Sequence, residues 1–151
     1  MSPRTLNVYG VLLDKTGQPD TPATKAHRVA LLAARRAWAS TEVPVGAEPA
    51  VVTGEAPSQV HEYLVARDRD NERVLACISC NHVVSGYRAH YKSGLLSYDA
   101  SMGDLPGFFD PAVMLDEPFT LRQYACPGCG MLMASEVVAC SEAPLEEVRF
   151  K

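Results

Sequence analysis

The sequence holds two Cys-x-x-Cys pairs, Cys77-Ile78-Ser79-Cys80 and Cys126-Pro127-Gly128-Cys129. Two residues between cysteines allow a tight turn that aims both sulfurs at one point, with backbone N–H groups facing the thiolates. Two such turns brought together give the tetrahedral cage of four sulfurs that Zn2+ prefers. The spacing therefore predicts one structural Zn2+ per chain, with four ligands: Cys77, Cys80, Cys126 and Cys129.

The residues around each pair favour a zinc ribbon. Asn81 and Gly130 follow the second cysteine of each pair, where a positive φ is expected; glycine tolerates it freely and asparagine better than most residues. Apolar and β-branched segments lead into both pairs, over 73–77 and 119–126, and a third segment over 131–138 leaves the second pair. The predicted fold is mainly β, with two Cys-x-x-Cys knuckles on antiparallel strands.

Iron is an alternative to zinc, and His82 and Cys140 are further residues of ligand type near the pairs. A rubredoxin-like iron site would use the same four sulfurs, and Cys126-Pro127-Gly128-Cys129-Gly130 suits such a knuckle. A catalytic zinc is disfavoured because four thiolates leave no position for water or substrate. His82 is predicted to lie outside the ligand set, beside the site or on the surface. Cys140 is predicted to be a small, buried or partly buried free thiol.

A long insertion separates the two pairs. Between Cys80 and Cys126 lie 45 residues, against about 15–20 in a compact double Cys-x-x-Cys site. The Gly- and Pro-rich residues 99–118 predict an irregular loop, and loops of that length are usually functional or ordered by a partner. The metal would close this loop, so its removal should loosen the second half of the chain.

The pattern predicts two domains. Residues 1–58 form a subunit-docking arm, and residues 59–151 form the elaborated zinc ribbon. The predicted elements are a strand over 5–14, a turn over 15–20, a helix over 22–39 that Thr21 caps and Pro22 begins, an extended segment over 41–58, a strand over 60–66 and a charged turn over 67–72.

Charge separates the two halves of the 151-residue chain. Residues 1–60 carry six Lys/Arg and five Asp/Glu, whereas residues 61–151 carry eight and thirteen. The ribbon half is therefore acidic, which argues against a nucleic-acid partner because phosphate binding needs a basic face. A nucleic-acid-binding zinc ribbon nevertheless stays open as an alternative with the same fold.

The sequence gives no sign of a membrane segment or a signal peptide. Cysteines in Cys-x-x-Cys pairs without an export signal indicate a reducing compartment, so a cytoplasmic location is expected. No phosphate-binding loop or nucleophile elbow is present. The carboxylate pairs Asp116-Glu117 and Glu146-Glu147 are predicted to be solvated, so no catalytic site is expected in this chain.

The region 60–140 resembles the small zinc-containing subunit of acetophenone carboxylase and acetone carboxylase. The resemblance is carried by Phe119-Thr120-Leu121-Arg122-Gln123-Tyr124-Ala125-Cys126-Pro127-Gly128-Cys129-Gly130 and the apolar strand after it. Further agreement comes from Tyr63-Leu64, from a histidine after Cys77-x-x-Cys80, and from the Tyr-containing segment that ends near Ser97-Tyr98-Asp99.

The resemblance implies a subunit of an ATP-dependent, biotin-independent ketone carboxylase. In such complexes large, hydantoinase-like subunits activate the ketone as an enol phosphate and bicarbonate as carboxyphosphate, and then form the carbon–carbon bond. The small subunit binds zinc and joins the large subunits without a catalytic site of its own. The inserted loop and residues 1–58 are where these partners would bind.

Overall fold

The computed structural model describes residues 10–38, 58–102 and 113–150. Within them the protein is mainly β, with one α-helix and two antiparallel sheets, as the sequence predicts at this level. Helix α1 spans Thr21–Trp38, and a short 3₁₀ helix spans Tyr91–Gly94. The strands are β1 Ser58–Gln59, β2 Leu64–Arg69, β3 Glu72–Cys77, β4 Val83–Gly86, β5 Leu96–Ala100, β6 Phe119–Ala125 and β7 Leu132–Ala139.

Helix α1 lies where the sequence predicts it, but its cap differs. The Asp20 carboxylate accepts a hydrogen bond from the Ala23 backbone N–H at 3.0 Å, which is the N-cap arrangement. Thr21 is therefore the first helical residue rather than the cap. A carboxylate is also the better partner for the positive end of the helix dipole.

The predicted strand over 5–14 is wrong for its described part, residues 10–14. The backbone there makes a single β-bridge between Leu13 and Pro19. The Asp14 carboxylate accepts a hydrogen bond from the Thr16 backbone N–H at 2.8 Å and so reverses the chain before a ladder can extend. The turn predicted over 15–20 is confirmed. Residues 5–9 and most of the segment 41–58 lie outside the described residues.

The first sheet has the order β1-β2-β3-β4. The predicted strand over 60–66 starts too early, because the Val60 N–H bonds to the Leu64 carbonyl at 3.1 Å in a tight loop before β2. The predicted turn over 67–72 is too long. Strands β2 and β3 stay paired as far as Arg69 and Glu72, and the turn is only Asp70 and Asn71, whose φ values are 50° and 67°.

The second sheet has the order β5-β6-β7. Strands β6 and β7 confirm the predicted segments 119–126 and 131–138 within a residue or two at each end. Strands β4 and β5 were missed, because each is short and takes its pairing from a neighbour rather than from its own pattern. Asp99 in β5, for example, lies opposite Arg122 in β6, with Nε to Oδ1 at 2.8 Å. The irregular loop predicted over 99–118 therefore starts too early, since residues 99 and 100 belong to β5, and its residues 103–112 lie outside the described ranges.

The hydrophobic core joins the two sheets around the cysteine pairs. Its buried members come from both sheets and from the segment between them: Leu64, Leu75, Cys77, Val84, Tyr91, Leu95, Tyr124, Cys126 and Met133. The C-terminal residues Val148 and Phe150 pack against this core. No helix in the described ranges is long and apolar enough to cross a membrane.

A buried ion pair lies within this core. The Lys92 ammonium contacts Glu136 and Glu147 at 2.7 Å each, and the side chains of Lys92 and Glu136 are only 2% and 5% exposed. The Tyr91 hydroxyl donates to Glu147 at 2.8 Å. Glu146 and Glu147 are both exposed, as predicted, although the C-terminal segment folds back so that the half-exposed Glu147 also pairs with Lys92.

Candidate metal centre

Each Cys-x-x-Cys pair occupies the turn of a β-hairpin. Strands β3 and β4 flank the first knuckle, residues 77–82, and strands β6 and β7 flank the second knuckle, residues 126–131. In the first knuckle the Asn81 N–H donates to the Cys77 carbonyl, and the Cys77 N–H donates to the His82 carbonyl, both at 2.9 Å. The two equivalent bonds of the second knuckle measure 2.8 Å, so both pairs adopt the same turn.

The residue after each pair has the backbone conformation that the sequence predicts. The φ angles are 59° at Asn81 and 70° at Gly130. This left-handed conformation lets the chain turn back beside the second cysteine of each pair. It is tolerated at both positions because one is glycine and the other asparagine.

Backbone N–H groups also face the sulfurs as predicted. In each knuckle the N–H of the second cysteine donates to the first sulfur, and the N–H two residues further on donates to the second sulfur. The donor and acceptor pairs are Cys80 to Cys77, His82 to Cys80, Cys129 to Cys126, and Met131 to Cys129. Each bond favours the thiolate form of its acceptor.

The fold brings the four predicted sulfurs into one cluster. All four Sγ atoms lie within 4.8 Å of one another. Across the two knuckles, Cys77 and Cys129 are 3.8 Å apart and Cys80 and Cys126 are 3.6 Å apart. A tetrahedron with metal–sulfur bonds of about 2.3 Å has edges of about 3.8 Å. The cysteines therefore fit a tetrahedral metal ion, and the cluster could hold one.

The four thiols share their protons unequally. Hydrogen bonds from Cys126 and Cys129, and then from Cys80, lower the pKa of the Cys77 thiol. The pKa of Cys126 is raised, first by Cys129 and then by Cys77, because a further negative charge beside existing thiolates is disfavoured. A bound cation would remove this penalty, since metal binding displaces the remaining protons.

Gly128 allows the two knuckles to approach closely. A Cβ atom at this position would lie 2.8 Å from the His82 Cβ and 2.9 Å from the Cys80 sulfur, closer than such atoms pack. His82 thus packs against the second knuckle. It is not a member of the cluster of four cysteines.

Cys140 lies apart from the cluster and is exposed, so the prediction of a buried or partly buried thiol is wrong. It occupies the turn directly after β7, at the end of the second sheet. Its backbone N–H bonds to the Pro118 carbonyl at 2.9 Å, which fixes the backbone while the side chain faces solvent.

Helix α1 covers part of the second knuckle. A Cβ at Gly130 would lie 2.9 Å from Leu32 Cδ1 and 3.2 Å from the Leu32 Cα, so glycine is needed for this contact. The Arg35 guanidinium donates to the Gly130 carbonyl. Burial lowers the pKa of Arg35, and the adjacent Cys129 acts in the opposite direction. This packing on the second knuckle was not predicted, although the spacing of Arg28, Leu31 and Arg35 places them on one helix face and could have suggested it.

A cleft of about 470 Å³ remains between α1 and the second knuckle, and Cys129 forms part of its wall. The other lining residues come from α1, from Tyr63 and Ser79, and from the chain leaving the second knuckle. The cluster is therefore covered by protein on the α1 side without being sealed from solvent.

No protein-family model matches this chain, and no curated protein is similar enough to count as a match.

The cluster is suited to holding a metal rather than to catalysis. Among the described residues it is the one group of three or more His, Cys, Asp or Glu side chains placed to hold an ion. Four sulfur ligands complete a tetrahedral coordination sphere and leave no position for a substrate. What the arrangement can do is link two hairpins of different sheets through a single ion.

Proposed function

We propose that this chain is a non-catalytic structural subunit whose cysteine cluster holds one Zn2+ in a zinc ribbon. The sulfur–sulfur distances of 3.6 and 3.8 Å support it, because they match the edges of a tetrahedral zinc–thiolate site. The four backbone N–H bonds to sulfur support it further. The bound zinc would supply stability, since the free energy of metal binding contributes directly to folding.

The complex we propose is an ATP-dependent, biotin-independent ketone carboxylase of the acetophenone or acetone type, in the cytoplasm. This proposal is carried by the run Leu121-Arg122-Gln123-Tyr124-Ala125-Cys126-Pro127-Gly128-Cys129-Gly130. Several residues of the run have defined contacts. Gly128 allows close packing against His82, and Gly130 allows close packing against α1. The Tyr124 hydroxyl donates a hydrogen bond to Glu136 at 2.5 Å. Large hydantoinase-like subunits would perform the chemistry, and this chain would bridge and stabilise them.

Native co-purification tests the assignment. The chain would be isolated from its own cells under mild conditions, and the accompanying polypeptides identified by mass spectrometry. We expect large ATP-dependent subunits, and ATP-dependent incorporation of bicarbonate into a ketone by the intact complex. Elution of the chain alone, or with subunits that show neither property, would contradict the proposal.

Iron is the second candidate for the cluster, because a tetrahedral S4 site suits iron as well as zinc. With iron the chain would be a rubredoxin-like electron carrier. Elemental analysis of untagged protein separates the two, and so does colour, because Zn2+ is silent while ferric thiolate sites absorb visible light. We expect a colourless protein with one zinc per chain.

A further inference from the structure

Three consecutive apolar residues stand out on the surface directly before β6. Val113, Met114 and Leu115, which we call the apolar trio, are 78%, 85% and 47% exposed. Val113 and Met114 are the most exposed large hydrophobic side chains of the residues that the structure describes. Runs of exposed apolar residues are avoided on ordinary surfaces, and larger apolar patches mark interaction sites.

The trio is tied to the second sheet a few residues further on. Pro118, three residues after Leu115, accepts a hydrogen bond from the Cys140 N–H at 2.9 Å. Thr120, in β6, donates its hydroxyl to the Ala100 carbonyl at 3.1 Å. The segment that carries the trio is therefore anchored at the point where it enters the second sheet.

Acidic groups lie beside the trio. Asp116 and Glu117 follow it in sequence and are exposed. The bond between Pro118 and Cys140 brings the exposed Glu142 to the same end of the sheet. The nearby cation Arg122 is already engaged, because it pairs with Asp99 at 2.8 Å. The trio is thus flanked by net negative charge.

We propose that the apolar trio inserts into an apolar pocket with a Lys/Arg rim on a large subunit of the complex. This inference rests on the proposed function, which identifies the partner as a large subunit. The trio calls for an apolar pocket, and the acidic residues beside it call for a basic rim. An anionic membrane or a nucleic acid does not fit the same surface, because both would repel the carboxylates. Methionine suits an anchor of this kind, since its flexible thioether adapts to a pocket.

The experiment compares three full-length chains expressed in the native cells: wild type, Met114→Asp and Val137→Asp. Val137 is 52% exposed on β7, so its substitution adds the same charge at an exposed apolar position elsewhere. Metal content and the thermal midpoint of each purified chain check that the fold is retained. The amount of large subunits recovered with each chain is measured by mass spectrometry.

We expect Met114→Asp to lower the recovery of large subunits at least tenfold and Val137→Asp to leave it within about twofold. A charge reversal, Asp116→Lys with Glu117→Lys, should also lower recovery, most clearly at low salt. Equal recovery with wild type and Met114→Asp would overturn the inference while the proposed function stands.

Two other outcomes also decide against it. If wild type recovers no large subunits, the proposed function fails and the inference fails with it. If the purified wild-type chain is a dimer that Met114→Asp converts to a monomer, while recovery of large subunits is unchanged, the trio binds a second copy of the chain instead.

Discussion

Substitution of Lys92 by methionine provides a severe test of how this fold is held together. The Lys92 ammonium lies 2.7 Å from Glu136, 2.7 Å from Glu147 and 2.8 Å from the Leu145 carbonyl. Methionine has a similar volume, so the packing change alone should cost less than about 1.5 kcal/mol. What the substitution removes is the charge that compensates Glu136.

The magnitude follows from burial. The Glu136 side chain is 5% exposed, so it cannot be hydrated when its partner is lost. Removing one member of a buried pair typically costs about 3–5 kcal/mol, and we expect Lys92→Met to lower the free energy of unfolding by that amount near neutral pH. Glu147, whose side chain is 43% exposed, can turn to solvent and adds little.

The pH dependence gives the prediction a sign. In the wild type, burial acts to raise the pKa of Glu136, but hydrogen bonds from Lys92 and Tyr124 outweigh it, and the pKa lies below its ordinary value. Its contribution to stability is present above the pKa of the unfolded chain and is lost as the pH falls through the folded pKa. Without Lys92 the burial effect dominates and the pKa of Glu136 rises. The variant should then lose stability as the pH rises through that higher folded pKa.

Urea unfolding of the metal-loaded protein at pH 5.5 and pH 7.5 measures both effects. Lys92→Met should lower the free energy of unfolding by more at pH 7.5 than at pH 5.5. Adding Glu136→Gln to this variant should restore at least half of the lost free energy at pH 7.5. Arg149→Met is the matched control, because Arg149 pairs with Glu146 on the surface with 71% and 34% of the two side chains exposed. It should leave the free energy of unfolding nearly unchanged, since an exposed ion pair is screened by solvent. A deficit below about 1 kcal/mol at pH 7.5, or one equal at both pH values, would refute the reasoning.

Three further predictions concern the cluster and the helix. Cys129→Ser should abolish stoichiometric metal binding, as measured by elemental analysis. Cys140→Ser alters an exposed cysteine outside the cluster and should leave the metal content unchanged. Equal loss of metal in both variants would contradict the ligand set. Gly128→Ala should weaken metal retention against a chelator about 10- to 100-fold, because the added Cβ would press on a cluster sulfur. Gly86→Ala is the control, since its added Cβ meets open space, and it should retain metal as the wild type does. Asp20→Ala removes the N-cap of α1 and should cost about 1 kcal/mol, seen as faster amide hydrogen exchange in the first turn of the helix; unchanged exchange there would argue against the cap.

The local features of the metal centre could be predicted from the sequence because they depend on short-range geometry. Two residues between cysteines fix each turn, and Asn81 and Gly130 sit at the positions where φ must be positive. The strands β3, β6 and β7 were found near the cysteines because apolar, β-rich segments lead into and out of the pairs. Helix α1 was found from its composition, although the capping residue was misjudged by one position.

Strand bounds away from the cysteines were less predictable. Residues 67–69 read as a charged turn, yet they continue β2 because β3 offers them backbone partners. Strand β5 shows the same dependence, since Asp99 is unfavourable in a strand on its own and is accepted beside Arg122. Pairing across a sheet overrides the preference of a single segment.

The sequence by itself determined that four cysteines form two matching turns, since each turn is set by a few adjacent residues. Only the tertiary structure decided what lies around them: that the turns belong to different sheets, that α1 packs on Gly130, and that Lys92 meets Glu136 across 44 positions of the chain. The physical reason is that such contacts depend on the path of the whole backbone, which leaves no signature at either residue. The Cys-x-x-Cys spacing, by contrast, encodes its geometry within four residues.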